Sequence, residues 1–410
     1  MTAWNLRPIA SALWRNRTGA MLVAFQIAIG LAVLVNAVYV VKQRVDKINR
    51  PNGMDVENIF VVASAGFAKD FDYEASWRED LATIRGLPGV KAASLVSNIP
   101  LSGGGSSSGY QAQPGEITPD NVVDANTFAV DEQGVAALGV TLSAGRAFEA
   151  HEIIPANKEE GDWETAPQAI ITQALAKALF PKDSDAALGR TFYDGLNKPI
   201  TIVGIIENMH GSWVGWDKVD QVMLFPRIKQ GPNGVYLVRT EPGRRDALMR
   251  EAEQRLGTSN PGRLLRWVRP LTYFERQSYL NDRNMAIFLS SVTSALLAIT
   301  ALGIFGLATF NVSTRIRQIG TRRAVGARKL DIVRHFLVEN WMVTSAGIVA
   351  GCGAALAIGY WISIKYELPR LDLYYLVGGV FAIWVIGLAA ALQPARRASA
   401  ISPAVASRTV

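Results

Sequence analysis

Cysteine is almost absent from this 410-residue sequence: the single one, Cys352, lies inside an apolar run. No internal disulfide can form, so any exported part is expected to be held by its own core. A lone thiol among apolar neighbours reads as a small packing residue. Histidine is nearly as scarce. His151, His210 and His335 are dispersed, with no partner at ligand spacing, so no zinc pattern arises. The G-x-x-x-x-G-K-S/T phosphate cradle is missing too, so neither ATP nor Mg is expected to be bound directly. No nucleophile elbow occurs, and no catalytic residue is assigned.

Charge is missing from four long stretches, residues 20–41, 285–314, 341–364 and 373–394. Each is long enough for the roughly 20 residues that cross a bilayer as a helix. The second is long enough to project beyond the hydrocarbon or to tilt. With no ionisable group in any interior, a proton relay or ion-coupled pathway is disfavoured. The expected fold class is a membrane protein: four transmembrane helices plus an α+β domain, residues 42–284, inserted between the first and second spans on helical stalks. Arg7, Arg15 and Arg17 precede the first run as in a signal peptide. That run is too long for such an h-region and no small-residue cleavage site closes it, so it reads as an uncleaved anchor.

The basic residues set an orientation. Those three arginines, the loop 315–340 and the tail 395–410 with Arg396, Arg397 and Arg408 fall on one side of four spans. The positive-inside rule makes that side cytoplasmic, with both termini, while the short loop 365–372 on the other side is balanced. Residues 42–284 hold 27 basic against 31 acidic residues, so the excess behind the net charge of +7 sits beside the membrane. Membrane lipid headgroups account for it; nucleic acid does not. Residues 1–19, with Leu6, Ile9, Leu13 and Trp14 at one-face spacing, read as an amphipathic helix on the inner membrane surface.

Between the first two spans, short strands and helices alternate. Residues 42–50 extend the first span as a stalk until Pro51, Asn52 and Gly53 break it. Strands are expected at 59–63, 90–98, 169–171, 201–206 and 235–239, and helices at 73–85, 173–180 and 244–256. Residues 101–109, rich in Gly and Ser, read as a mobile loop, and 271–283 as a polar helical approach to the second span. Trp213 and Trp216 are either core packing or an exposed contact for a partner or hydrophobic cargo. In the third span Gly347 and Gly351 lie one turn apart, a spacing that permits close helix approach and a dimer interface.

The cytoplasmic loop is the most informative segment. Arg315, Arg317, Arg322, Arg323, Arg328 and Lys329 make it basic, with Ile319 and Val325 as apolar points among them. Orientation alone explains the arginines. It does not require Ile319-Gly320 and Gly326-Ala327, where small residues let another protein surface approach closely.

Arg315, Arg317, Ile319, Gly320, Arg322, Arg323, Ala324, Gly326 and Ala327 match a consensus E-R-T-R-E-I-G-x-R-x-A-x-G-A. In this the loop resembles the MacB/FtsX-type ABC permeases, also called type VII or mechanotransmission ABC transporters. Residues 139–148 (GVTLSAGRAF), 187–190 (ALGR), 202–206 (IVGII) and 394–403 (PARRASAISP) resemble further family segments in the same order. Leu101, Ser102, Gly103 and Gly104 spell an ABC ATPase signature, but they lie on the outer side, away from ATP, and four common residues recur by chance.

The resemblance implies a permease subunit of a bacterial inner membrane, with a MacB-like periplasmic core domain. It is a transport subunit without enzyme activity of its own. Residues Arg315, Arg317, Gln318, Ile319, Gly320, Arg322, Arg323, Ala324, Val325, Gly326 and Ala327 would dock on a separate cytosolic ABC ATPase dimer, which holds the ATP and Mg. Closing of that dimer would shift the stalks, reshape the periplasmic domain and drive export of a peptide, antibiotic or lipid-like cargo. A second permease copy or a related permease is the implied partner; a periplasmic adaptor and an outer-membrane duct follow only by analogy. Thr314 and Gln318 depart from the family's glutamates, which suits a heterodimer with a permease that retains them. The alternative is a transmembrane sensor or regulator of a periplasmic partner such as a cell-wall hydrolase. A membrane-anchored enzyme comes third, without a recognisable site.

Overall fold

The computed structural model describes residues 17–69, 71–116, 118–155, 166–228, 231, 233–366 and 371–400. The expected surface helix up to residue 16 and the tail from 401 on, with Arg408, lie outside the described residues. The chain divides into two compact units, Met1–Asn49 with Asp282–Val410, and Arg50–Asn281.

Helix α1 (Arg17–Ile48) leads to strand β1 (Ile59–Gly66), α2 (Tyr73–Arg85), β2 (Val90–Leu95), β3 (Ser106–Tyr110) and β4 (Val123–Val130). There follow α3 (Gly134–Leu138), β5 (Leu142–Gly145), β6 (Ile154–Pro155), β7 (Gln168–Thr172), α4 (Gln173–Leu179), β8 (Thr191–Tyr193), β9 (Pro199–Ile206) and β10 (Val222–Ile228). Then come β11 (Asn233–Thr240), α5 (Arg245–Ser259), β12 (Arg263–Pro270) and α6 (Leu271–Ser278). The chain ends in α7 (Leu280–Thr314), α8 (Ile316–Ala324), α9 (Lys329–Tyr366) and α10 (Leu373–Ser399). Helices α1, α7, α9 and α10 are long and apolar enough to cross a membrane, and the mixed α+β domain lies between the first and the second of them.

That domain has two lobes. In the first, an antiparallel sheet of order β12-β1-β11-β2 alternates its side chains. Phe60, Val62, Ala93, Leu95, Tyr236 and Val238 meet Leu81 and Ile84 of α2 and Leu248, Ala252 and Leu256 of α5. The four-residue spacing along α5 puts its apolar side chains on one face. Helix α2 begins where the Asp72 carboxylate accepts from the Ala75 amide at 3.0 Å, a side-chain cap on an otherwise orphan donor. The second lobe is a mixed sheet of order β3-β4-β10-β7-β9-β5, with β6 on β10 and β8 on β9. Leu175, Ala176 and Leu179 of α4 pack into its core with Ala169, Ile171, Ile202, Met223 and Phe225.

Charged groups join the lobes. Arg85 of α2 reaches Asp131 and Glu132, each at 2.9 Å, and the Leu95 amide donates to Asp131 at 3.2 Å. Burial pushes Asp131 up to about 6, against the pull of Arg85.

Two expectations are corrected by the fold and a third is refined. Residues 101–109 are not all loop: β3 starts at Ser106 and pairs antiparallel with β4 as an edge strand. The polar approach at 271–283 is helical as expected, in two pieces, since α6 stops at Ser278 and α7 starts at Leu280. The glycines of the third span do not face a second copy. A Cβ on Gly347 would lie 2.7 Å from the Ala24 carbonyl oxygen and 2.8 Å from Ile27, and one on Gly351 would lie 3.0 Å from the Ala28 oxygen. These glycines let α9 press against α1 of the same chain, so that α1 is the centre of the bundle.

Half of the most apolar stretch of α1 is buried, against 17% for α7. Helix α7 therefore leans on α1 along a narrow seam where Gly30 meets Thr300 and Gly303 meets Gln26.

Candidate ATPase-docking segment

Within residues 315–327 the segment Ile316–Ala324 is a short helix, α8, followed by a turn. Arginine and glutamine are good helix formers, and Ile316, Ile319, Gly320 and Arg323 recur at the spacing of one face. Between α7 and α8 the backbone bends at Arg315, with φ −115° and ψ 19°. Helix α8 ends at Gly326, whose φ of +102° is a left-handed conformation suited to glycine. There the Ala327 amide donates to the Arg322 carbonyl at 3.0 Å. The next helix starts at once, with the Arg328 amide donating to the Asp331 carboxylate at 3.0 Å.

The two faces of α8 differ in kind. On the inner face Ile319 is buried with Ile332 and Phe336 of α9 and with Ala395 and Ala398 of α10, and Val312, Ala327 and Val333 pack around them. Gly320 is buried beside Ile319. Arg315 donates to the buried Glu339 carboxylate at 2.9 Å, and Arg323 donates to the Ser399 carbonyl at 2.9 Å. On the outer face Arg317, Gln318, Arg322, Ala324, Val325 and Gly326 are exposed. Val325 is 84% exposed, with Leu330 also exposed nearby in sequence.

This sorting corrects one reading. Gly320 is buried on the inner face with Ile319, away from the surface another protein would approach. Gly326 differs, since nothing lies within 4 Å of a Cβ built there. Of the two departures, Thr314 turns its hydroxyl back to the Phe310 carbonyl at 3.0 Å, whereas Gln318 is exposed. The sequence reading missed Glu339 and Ser399 as the partners that hold the segment. The one-face spacing of Ile316, Ile319 and Arg323 was the available signal.

Trp213 and Trp216 form an edge-to-face pair with ring centroids 6.0 Å apart, and both are half-buried. Their loop is closed by the Gly211 amide donating to Val219 at 2.6 Å and held by Arg50 donating to the Val214 carbonyl at 3.3 Å. Among the described residues no group of three or more His, Cys, Asp or Glu side chains could hold a metal ion.

Residues 20–255 match the MacB-like periplasmic core domain, and residues 290–403 match the FtsX-like permease C-terminal family. A macrolide export ATP-binding/permease protein MacB 2 of Aeromonas hydrophila is 24% identical over 96% of this chain and 58% of its own length. A MacB of Bradyrhizobium diazoefficiens is 26% identical over 68% of this chain and 42% of its own. The chain thus spans about half the length of the curated relatives it matches. A solved extracellular domain of the noncanonic ABC-type transporter YknZ from Gram-positive bacteria is 16% identical, covering 50% of this chain and 98% of that one, with a TM-score of 0.29. Four membrane-spanning helices, an inserted α+β domain and both family matches in order place this chain in the MacB/FtsX-type family of ABC transporter permeases.

Proposed function

We propose that the outer face of α8 is the surface on which a cytosolic ABC ATPase docks, and that the chain converts ATP binding and hydrolysis there into movement of its periplasmic domain. The observation that carries this reading is the division of α8 into two faces. One face is anchored to α9 and α10 through Ile319, Arg315 and Arg323. The other offers Arg317, Gln318, Arg322 and Val325 to a partner. A push on the exposed face is therefore delivered to α9 and α10 together, because the inner face cannot slide independently.

ATP and Mg belong to the ATPase in this scheme, since the sequence has no phosphate cradle. The side bearing α8 is cytoplasmic, in accord with its arginines. A second permease copy, or a related permease, supplies the other half of a two-fold assembly. The relatives' printed names speak of macrolide export, and an amphipathic antibiotic, peptide or lipid-like cargo is proposed here on that basis alone. Charge-free spans fit cargo handled on the outer face rather than threaded through the bundle.

The test uses the full chain with its ATPase, purified together. Val325→Asp should abolish ATPase binding while the chain keeps its thermal transition. If binding and export survive both Val325→Asp and Arg322→Glu, the docking assignment is wrong. Altered cell-wall hydrolysis with no retained cargo on deletion would favour the regulator instead.

A further inference from the structure

The outer ends of α1 and α7 extend past their charge-free stretches. Helix α1 runs on from residue 41 to Ile48, and α7 begins at Leu280, ahead of residue 285. In this overlap Asp282 is buried, 5% exposed, and both its carboxylate oxygens are occupied by α1. Arg44 donates to one and Lys47 to the other, the latter at 2.7 Å. Arg44 and Lys47 stand three residues apart and so share a face of α1. Lys42 and Asp46 pair with each other instead. Asp282 also sits in the first turn of α7, where the helix dipole favours a negative charge.

Beyond this overlap the seam between α7 and α1 is narrow: Gly30 meets Thr300, Gly303 meets Gln26, Leu307 lies against Gly19 and Ile304 enters the apolar core with Ile27 and Leu31, while most of the apolar side chains of α7 face away from it. We propose that Asp282 is a releasable latch. With both ion pairs formed, the outer ends of the first and second membrane helices move as one rod; with the pairs broken, α7 swings separately from α1. Arg44 and Lys47 are partly open to water, so they can exchange Asp282 for solvent without unpacking a core. A similar tie occurs inside the periplasmic domain, where Asn52, just after the entry of the chain, donates to Glu275 of α6, just before its exit, at 3.0 Å. The entering and leaving segments are thus clasped in each unit.

The latch stands on this geometry whether or not an ATPase docks on α8, and its test needs no ATPase. Nitroxide labels at Val45→Cys and Asn284→Cys, both exposed positions, in a Cys352→Ser background report the separation of the helix ends in the full chain in lipid nanodiscs. Labelled chain is diluted into unlabelled chain so that only intrachain distances are read. The latch predicts one narrow distance in the parent and a second, longer population in Asp282→Asn. It further predicts a return to the narrow distance when Asp282→Lys is combined with Arg44→Gln and Lys47→Asp. Arg44→Gln with Lys47→Gln leaves Asp282 in place and should open the pair in the same way, which covers the case of an Asp282 variant that does not fold. An unchanged narrow distance in the Arg44→Gln, Lys47→Gln chain, or a charge-swapped chain as open as Asp282→Asn, would overturn it.

Discussion

The guanidinium of Arg315 lies 2.9 Å from the carboxylate of Glu339, tying the bend between α7 and α8 to a buried position in α9. Glu339 keeps only 4% of its side chain in water, while Arg315 keeps 19%. Removing Arg315 therefore leaves a buried carboxylate without its cation, which costs about 3–5 kcal/mol. Arg315→Ala should lower the thermal transition of the full chain in detergent, and adding Glu339→Gln should recover much of the loss. Equal losses in the single and double variants would show that the pair has no structural role.

Val325 and Ile319 are both apolar residues of the same segment, yet their substitutions should separate cleanly. Val325→Asp, at an exposed site, should change stability by less than about 0.5 kcal/mol. Ile319→Asp puts a charge among Ile332, Phe336 and Ala398, and should destabilise the chain by about 3 kcal/mol or more. Protease resistance and thermal unfolding of the two purified variants check this.

Gly347 and Gly353 test the packing of α9 against α1. Gly347→Leu forces a side chain into the Ala24 and Ile27 backbone and side-chain atoms and should cost about 3 kcal/mol, the upper range for overpacking. Nothing lies within 4 Å of a Cβ at Gly353, so Gly353→Leu should leave the transition temperature close to that of the parent. Melting curves that shift equally for both variants would contradict the assignment of α1 as the centre of the bundle.

His210 gives the periplasmic domain a pH dependence of known sign. Burial, aided by Arg50, pulls its imidazole down to about 4 from the ordinary 6.5. Between those values the unfolded chain binds a proton that the folded domain refuses, so stability is full above 6.5 and falls as pH drops toward 4. The full effect amounts to about 3 kcal/mol at most. Thermal unfolding at pH 7 and pH 5 should show the loss in the parent and a smaller one in His210→Gln.

How much of this was legible in the sequence depended on whether the signal was local. The spans, β1, α2, α4 and α5 could be read because charge-free length, apolar runs and one-face spacing are properties of neighbouring residues. Strand β10 could not: it is buried throughout yet contains Pro226 and Arg227, residues that argue against a central strand. Pro226 stands opposite Val130 at the end of the β4 pairing and beyond Met223 and Leu224, the two residues paired with β7. Strand β4, with Asp124 and Asn126, is likewise specified by β3 and β10 rather than by its own composition. At the candidate site the arginines were visible, but their division into anchoring and exposed members was not. That division depends on Glu339 and Ser399, which approach only once α9 and α10 are folded.

The docking claim is tested most directly by a photo-crosslinking amino acid placed at Val325 of the full chain in native membranes, with Val385, an exposed position on the apolar surface of α10, as the comparison site. Mass spectrometry identifies the captured partner. A P-loop ATPase should be crosslinked through Val325 and lost in the Arg322→Glu background, with none through Val385. Crosslinking of the ATPase at neither position, or equally at both, would contradict the docking claim.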